Sequence, residues 1–130
     1  MLSFLRSRIQ SFKYAFEGWW FVIRSQQNAW IHTIVSFIVV VMGLWLSISP
    51  RDWAVIILAI AMVWAAEFFN TALEAIVDLA SPEQNQLAKV GKDVGAAAVL
   101  IAAGASIVIG LLILGPPFWG KVRWLVGFGS

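Results

Sequence analysis

Four polar side chains between residues 67 and 78 carry the strongest chemical signal in the chain. Glu67, Asn70, Glu74 and Asp78 are spaced by three, four and four residues. At 100° per residue of α-helix they point to roughly 0°, 300°, 340° and 20°, a single arc of about 80°. Thr71 lies beside them, and Lys92 and Asp93 follow after a polar stretch. Carboxylates on one face offer oxygen ligands for a hard cation and a base for proton abstraction, while the ammonium offers a charge for a phosphate. Two other readings stand beside this one. The stripe could be the solvated face of a helix that runs past the membrane, or a relay for protons or cations. The carboxylates sit near the end of an apolar segment rather than at its middle, which argues against a relay.

The segments that must hold these groups are apolar. Of the 130 residues 61% are hydrophobic and only 12% are charged, against about a quarter charged in ordinary soluble domains. A bilayer core needs about 20 apolar residues in helical form. Residues 29–48, 53–79 and 94–114 meet that requirement, the last with no charge at all. Pro50, Arg51 and Asp52 read as a polar turn, residues 81–93 as a polar loop, and Gly115-Pro116-Pro117 as the end of the third span. In residues 3–25, Phe4, Leu5, Ile9, Phe12, Phe16, Trp19, Trp20 and Ile23 recur at helical spacing with basic residues between them. That pattern suits an amphipathic helix lying in the membrane interface. The expected fold is therefore an all-α membrane protein of one domain, residues 1–130, with three transmembrane helices and an N-terminal surface helix.

Charge and composition narrow the setting. With three spans, Arg6, Arg8, Lys13, Arg24, Lys89 and Lys92 share one side, and Arg51, Lys121 and Arg123 the other. Six basic residues against three put the N-terminus and the acidic stripe in the cytoplasm. A net charge of +2 does not suggest a nucleic-acid partner, and the lack of cysteine excludes disulfides and thiolate metal sites. The third span carries Ala98 and Ala102, and Ser106 and Gly110, at small-xxx-small spacing, which lets helices approach closely. A bundle of three helices shelters charge poorly, so the chain is expected to self-associate. His32, the only histidine, lies just inside the first span; a lone histidine there reads as a satisfied polar side chain rather than a ligand.

Residues 67–78 read Glu-Phe-Phe-Asn-Thr-Ala-Leu-Glu-Ala-Ile-Val-Asp, and residues 87–99 read Leu-Ala-Lys-Val-Gly-Lys-Asp-Val-Gly-Ala-Ala-Ala-Val. This resembles the prokaryotic diacylglycerol kinase family, which includes undecaprenol kinases, in its pattern Glu-x-x-Asn-[Ser/Thr]-Ala-x-Glu-x-x-x-Asp followed by Lys-Asp and a small-residue helix. A weaker similarity covers residues 12–34. The resemblance implies a homotrimer in a prokaryotic plasma membrane that phosphorylates the hydroxyl of a lipid, diacylglycerol or undecaprenol. Mg²⁺ and ATP would serve as cofactor and co-substrate, at active sites shared between subunits. By position it implies Glu67 as general base, Glu74 as a metal ligand, Asn70 as an orienting group and Lys92 and Asp93 as nucleotide contacts. Tyr14, Glu83, Gln84 and Asn85 match nucleotide-binding positions. Many relatives carry a second metal-binding glutamate where this chain has Gln26, whose carbonyl oxygen brings no charge. No Gly-rich phosphate loop of the P-loop type is present. Outside the resemblance, a small transporter and a structural membrane protein are the competing functions; the Lys92-Asp93 pair beside the polar stripe favours a kinase, since transport needs no nucleotide contact.

Overall fold

The computed structural model describes residues 1–81, 83 and 85–127, with residues 2–5 as backbone only. It is all-helical, in the order α1 (Leu2–Ser25), α2 (Gln27–Leu46), α3 (Pro50–Ala80) and α4 (Gln86–Leu125). Among the described residues there is no strand, and α2, α3 and α4 are long and apolar enough to cross a membrane. At 1.5 Å per residue the 31 residues of α3 and the 40 of α4 run about 46 and 60 Å. Both exceed the roughly 30 Å of hydrocarbon. They pack against each other more extensively than any other pair, so the polar second half of α3 and the first two turns of α4 form a paired extension of the spans.

Three boundaries differ from the sequence expectations. Pro50 is no turn residue but the first residue of α3, where its missing N–H costs nothing. Ser49 caps that helix: its Oγ accepts from Asp52 N at 3.2 Å, and Asp52 Oδ2 accepts from Ser49 N at 3.3 Å. This reciprocal pair satisfies donors that a helix start otherwise leaves bare. At the other side, the polar stretch is helical from Gln86 onward, because the Asn85 side chain accepts from Leu87 N at 2.8 Å. Lys92 and Asp93 are thus helical residues, not loop residues. Finally, α4 continues through Pro116 and Pro117 to Leu125. The contacts beyond the prolines account for this: Phe118 stacks edge-on against Trp45 at 6.1 Å, and Lys121 donates to Trp45 O while its ammonium lies 4.8 Å from the Trp45 ring centre.

The chain's α1 and α2 are separated by one residue. Gln26 is extended (φ −108°, ψ 120°), with its N–H bonded to Val22 O. Along α1 only Val22 is buried among the described side chains, while Ile9, Phe12, Phe16, Trp19, Trp20 and Phe21 are exposed. The buried apolar set is small: it includes Ala29 and Leu46 on α2, Ile56, Ala59 and Val63 on α3, and Val99, Ala102 and Leu114 on α4. Where α2 meets the start of α3, Gly43 lets the Trp53 indole lie flush, since a Cβ there would come within 2.8 Å of Trp53 Cη2.

Candidate active site

Moving along α3, the side chains facing the bundle change from apolar to polar. Ile56, Ala59 and Val63 are followed on the buried face by Glu67, Asn70 and Thr71. Among the described residues the largest fully buried side chain is a carboxylate: Glu67 is 0% exposed. Thr71 returns its hydroxyl to Glu67 O at 2.9 Å, so it serves the helix and leaves the carboxylate oxygens alone. Neither Glu67 Oε1 nor Oε2 has a hydrogen-bond partner among the described residues. The nearest basic group is His32 on α2, with Nε2 3.7 Å from Glu67 Oε2. His32 is therefore not a satisfied polar residue as expected; its Nε2 also lacks a hydrogen bond.

One turn and two turns further, α3 presents Asn70 and Glu74. Asn70 Nδ2 donates to Glu74 Oε1 at 3.3 Å, and Gln26 Nε2 donates to Glu74 Oε2 at 3.0 Å. Gln26 reaches α3 because the chain breaks helix at that residue. Asn70 Oδ1 is buried without a partner and points at Gly95 of α4, where a Cβ would lie only 2.4 Å away. Glycine at 95 is thus what lets α4 pass so close to the Asn70 amide. Beyond Glu74 the stripe reaches the surface. Asp78 Oδ1 accepts from Lys92 Nζ at 2.7 Å, with Asp78 66% and Lys92 38% exposed.

Two concavities adjoin this stripe. A polar cleft of ≈ 660 Å³ lies between the end of α3 and the start of α4, lined among others by Asp78, Glu83, Asn85, Lys89, Lys92 and Asp93. An apolar groove of ≈ 450 Å³ runs between α2, α3 and α4, and its polar lining residues are His32, Ser36 and Ser106. Of the residues singled out in the sequence, Asn70, Glu74 and Gln26 are therefore hydrogen-bonded together, Glu67 lies one turn before them on the same helix facing His32, and Lys92, Asp93, Glu83 and Asn85 line the neighbouring cleft. Asn85 is also the cap of α4. Tyr14 is 63% exposed on α1, about 18 Å of helix before Gln26, and is not drawn into the cluster. Gln84 lies outside the described residues.

The donor set fits a hard cation in chemistry, though not as a ready-made acidic cage. Among the described residues no three acidic, histidine or cysteine side chains converge. What converges is one carboxylate, Glu74, with two amides that present N–H to it, and each amide carries a carbonyl oxygen that a turn of the side chain would offer to a cation. Magnesium takes few protein ligands and keeps water and substrate phosphate for the rest, so a single carboxylate and an amide oxygen suffice.

The family model described as prokaryotic diacylglycerol kinase matches residues 13–114, more than three quarters of the chain and all of the stripe. The chain belongs to the prokaryotic diacylglycerol kinase family. It is 36% identical over 107 residues to the undecaprenol kinase of Bacillus subtilis (strain 168), covering 82% of this chain and 87% of that one. It is 38% identical over 108 residues to the diacylglycerol kinase of Synechocystis sp., covering 82% of this chain but 62% of that one. It is 31% identical over 81 residues to the diacylglycerol kinase of Escherichia coli (strain K12), covering 62% and 66%. Membership of this family makes the chain a lipid kinase. Two features of the site were not found from the sequence: the partnership of His32 with Glu67, and the bond from Gln26 to Glu74. A hairpin register carries a signal for the first, because residues 32 and 64 lie equally far either side of Ile48, and Glu67 is the next residue on the same face as 64.

Proposed function

We propose that the chain transfers the γ-phosphoryl group of ATP to the hydroxyl of a membrane lipid alcohol of the diacylglycerol or undecaprenol type. The observation that carries this reading is the fully buried Glu67 carboxylate, on the same helix face as a cleft whose lining includes Lys89 and Lys92. Phosphoryl transfer asks a protein for alignment and charge neutralisation more than for covalent help. Glu67 accepts the proton of the lipid hydroxyl as its oxygen attacks the γ-phosphorus and ADP leaves. His32, which faces Glu67 and lines the apolar groove, marks the path by which a hydrocarbon body brings its hydroxyl to that carboxylate. Asn70 holds Glu74 in place, and Glu74 and Gln26 are the residues that hold magnesium. When bound, the ion neutralises charge on the phosphates. Lys92 and Asp93 contact the nucleotide, with Glu83, Gln84, Asn85 and Tyr14 as further contacts; Tyr14 needs a different route to the nucleotide, since it lies far along α1.

The same reading takes residues 1–130 as one unit, with α1 on the cytoplasmic surface of a prokaryotic plasma membrane and the stripe facing the cytoplasm. Its exposed aromatic side chains and the six-to-three distribution of basic residues support this. Three copies assemble. Gly104 of α4 is exposed and has nothing within 4 Å of where a Cβ would stand, which leaves close approach at that face open to another chain. The deciding experiment is a radiolabelled-ATP assay of the purified protein in mixed micelles, with and without magnesium, against diacylglycerol and undecaprenol. Label in an organic-soluble product with at least one lipid, dependent on magnesium, is expected. ATP turnover with no labelled lipid from either would refute the reading.

A further inference from the structure

The imidazole of His32 is held for a purpose that the sequence pattern does not assign. Its side chain is 14% exposed, and its ring packs edge-on against Trp64, with centroids 6.2 Å apart. Trp64 is itself fixed by Trp19 of α1 at 6.1 Å and Phe68 at 5.9 Å. This aromatic wall limits how the imidazole can turn. Its Nε2 is aimed at Glu67 Oε2, 3.7 Å away, and the three atoms concerned, His32 Nε2 and both Glu67 oxygens, have no other hydrogen-bond partner among the described residues. A buried carboxylate without a donor is costly, and a protein tolerates it where a partner or a substrate completes it. Glu67 has two oxygens and one such neighbour. If Nε2 engages Oε2, Oε1 is left for something else.

We propose that His32 is a positioning residue for Glu67: its Nε2–H donates to Oε2, fixes the carboxylate plane, and leaves Oε1 as the oxygen that takes the proton of the lipid hydroxyl. This rests on the reading of Glu67 as the general base. The closure from 3.7 Å to a hydrogen bond is a movement of less than about 1 Å between two facing side chains. His32 lines the apolar groove and Glu67, fully buried, does not, so a hydroxyl arriving along that groove meets His32 first and, beyond it, the oxygen that His32 orients. Misplacement of a reacting group by about 1 Å costs on the order of 10²-fold in rate, which sets the size of the expected effect.

The test has one arm on activity and one that needs none. His32→Ala is expected to lower kcat about 10²-fold with KM for ATP within twofold. Added imidazole should restore at least tenfold of the loss, because the groove admits a small ring to the vacated space, whereas excess magnesium should restore nothing. His32→Gln, which keeps an N–H donor and serves should the alanine variant not fold, is expected to lie within tenfold of wild type. Because the chain has a single histidine, ¹⁵N-histidine labelling gives one imidazole; Glu67→Gln should move its Nε2 resonance. His32→Ala within threefold of wild type, ATP affinity falling in step with rate, a glutamine variant as poor as the alanine one, or an Nε2 resonance indifferent to Glu67→Gln would each overturn the proposal. If the wild-type protein phosphorylates no lipid while the resonance does move, the contact stands and the kinase reading of it falls.

Discussion

Gly95→Ala tests how tightly α4 is fitted over the site. A Cβ at residue 95 would lie 2.4 Å from Asn70 Oδ1 and 3.1 Å from Leu73 Cδ2, where ordinary contact begins at 3.4 Å. The Asn70 amide must therefore withdraw by about 1 Å. Its bond to Glu74 Oε1 is 3.3 Å long, so a displacement of that size disturbs the distance and angle on which the bond depends. The effect on stability is partly offset, to a net loss of about 0–2.5 kcal/mol. Alanine in a helix interior gains about 0.5–1 kcal/mol over glycine, and overpacking costs about 1–3 kcal/mol. The effect on rate is not cancelled: losing the group that holds Glu74 by about 1 Å should cost on the order of 10²-fold. Gly91→Ala is the control, one turn earlier on α4, since its Cβ would meet only Val77 Cγ2 at 3.8 Å. The assay is lipid phosphorylation against magnesium concentration, with thermal unfolding of both variants in the same detergent. The reasoning fails if Gly95→Ala keeps the wild-type rate and magnesium dependence, or if Gly91→Ala is impaired as badly.

Glu67→Gln should lower the chemical step by about 10²- to 10⁴-fold with nucleotide binding unchanged and no rescue by magnesium, whereas Glu74→Gln should weaken nucleotide and metal together and recover part of its rate in excess magnesium; titrating both variants with magnesium separates the roles. Asp78→Asn should change KM for ATP by less than about fivefold, because its pair with Lys92 is solvent-exposed and such pairs contribute about 0.2–1 kcal/mol; a larger loss in steady-state kinetics would mean that Asp78 itself meets the nucleotide. Gln26→Glu should raise the apparent magnesium affinity, measured by the same titration, and an unchanged or weaker affinity would count against Gln26 as a ligand position.

Much of the fold was open to reading because lipid imposes length and polarity on a helix before any tertiary contact forms. The three spans and the common face of Glu67, Asn70 and Glu74 follow from spacing alone. The boundaries that were misread share a cause. Pro50 and Asn85 look like loop residues, yet each sits at a helix start where its chemistry satisfies or spares a backbone donor. The Ser49-Pro50-x-Asp52 sequence carries the capping-box signature and could have been recognised. Pro116 and Pro117 could not, because what carries helix past them is a contact with Trp45, more than seventy residues away in sequence. His32 was undervalued for the same reason: nothing local announces a partner on the next helix.

Gln26 joins these threads, since it is both the break between two helices and a bond to Glu74. In the absence of a cation, a second acid at this position would put two carboxylates about as far apart as Gln26 Nε2 and Glu74 Oε2 now stand, 3.0 Å, where like charges repel and one of them holds a proton. An amide removes that repulsion. Glu74 then has one oxygen held by Gln26 and the other by Asn70, so its carboxylate is preorganised and α1 is tied to α3 through it. The same two bonds stand in the way of metal: for a cation to use Glu74 and the Gln26 carbonyl, the Gln26 amide must turn over and release its hydrogen bond. A site that relies on two acids gains order when the ion arrives. If Glu74 and Gln26 hold the ion as proposed, this site has order beforehand and gives some of it up, and the exchange of one carboxylate oxygen for an amide nitrogen at residue 26 is enough to make that difference.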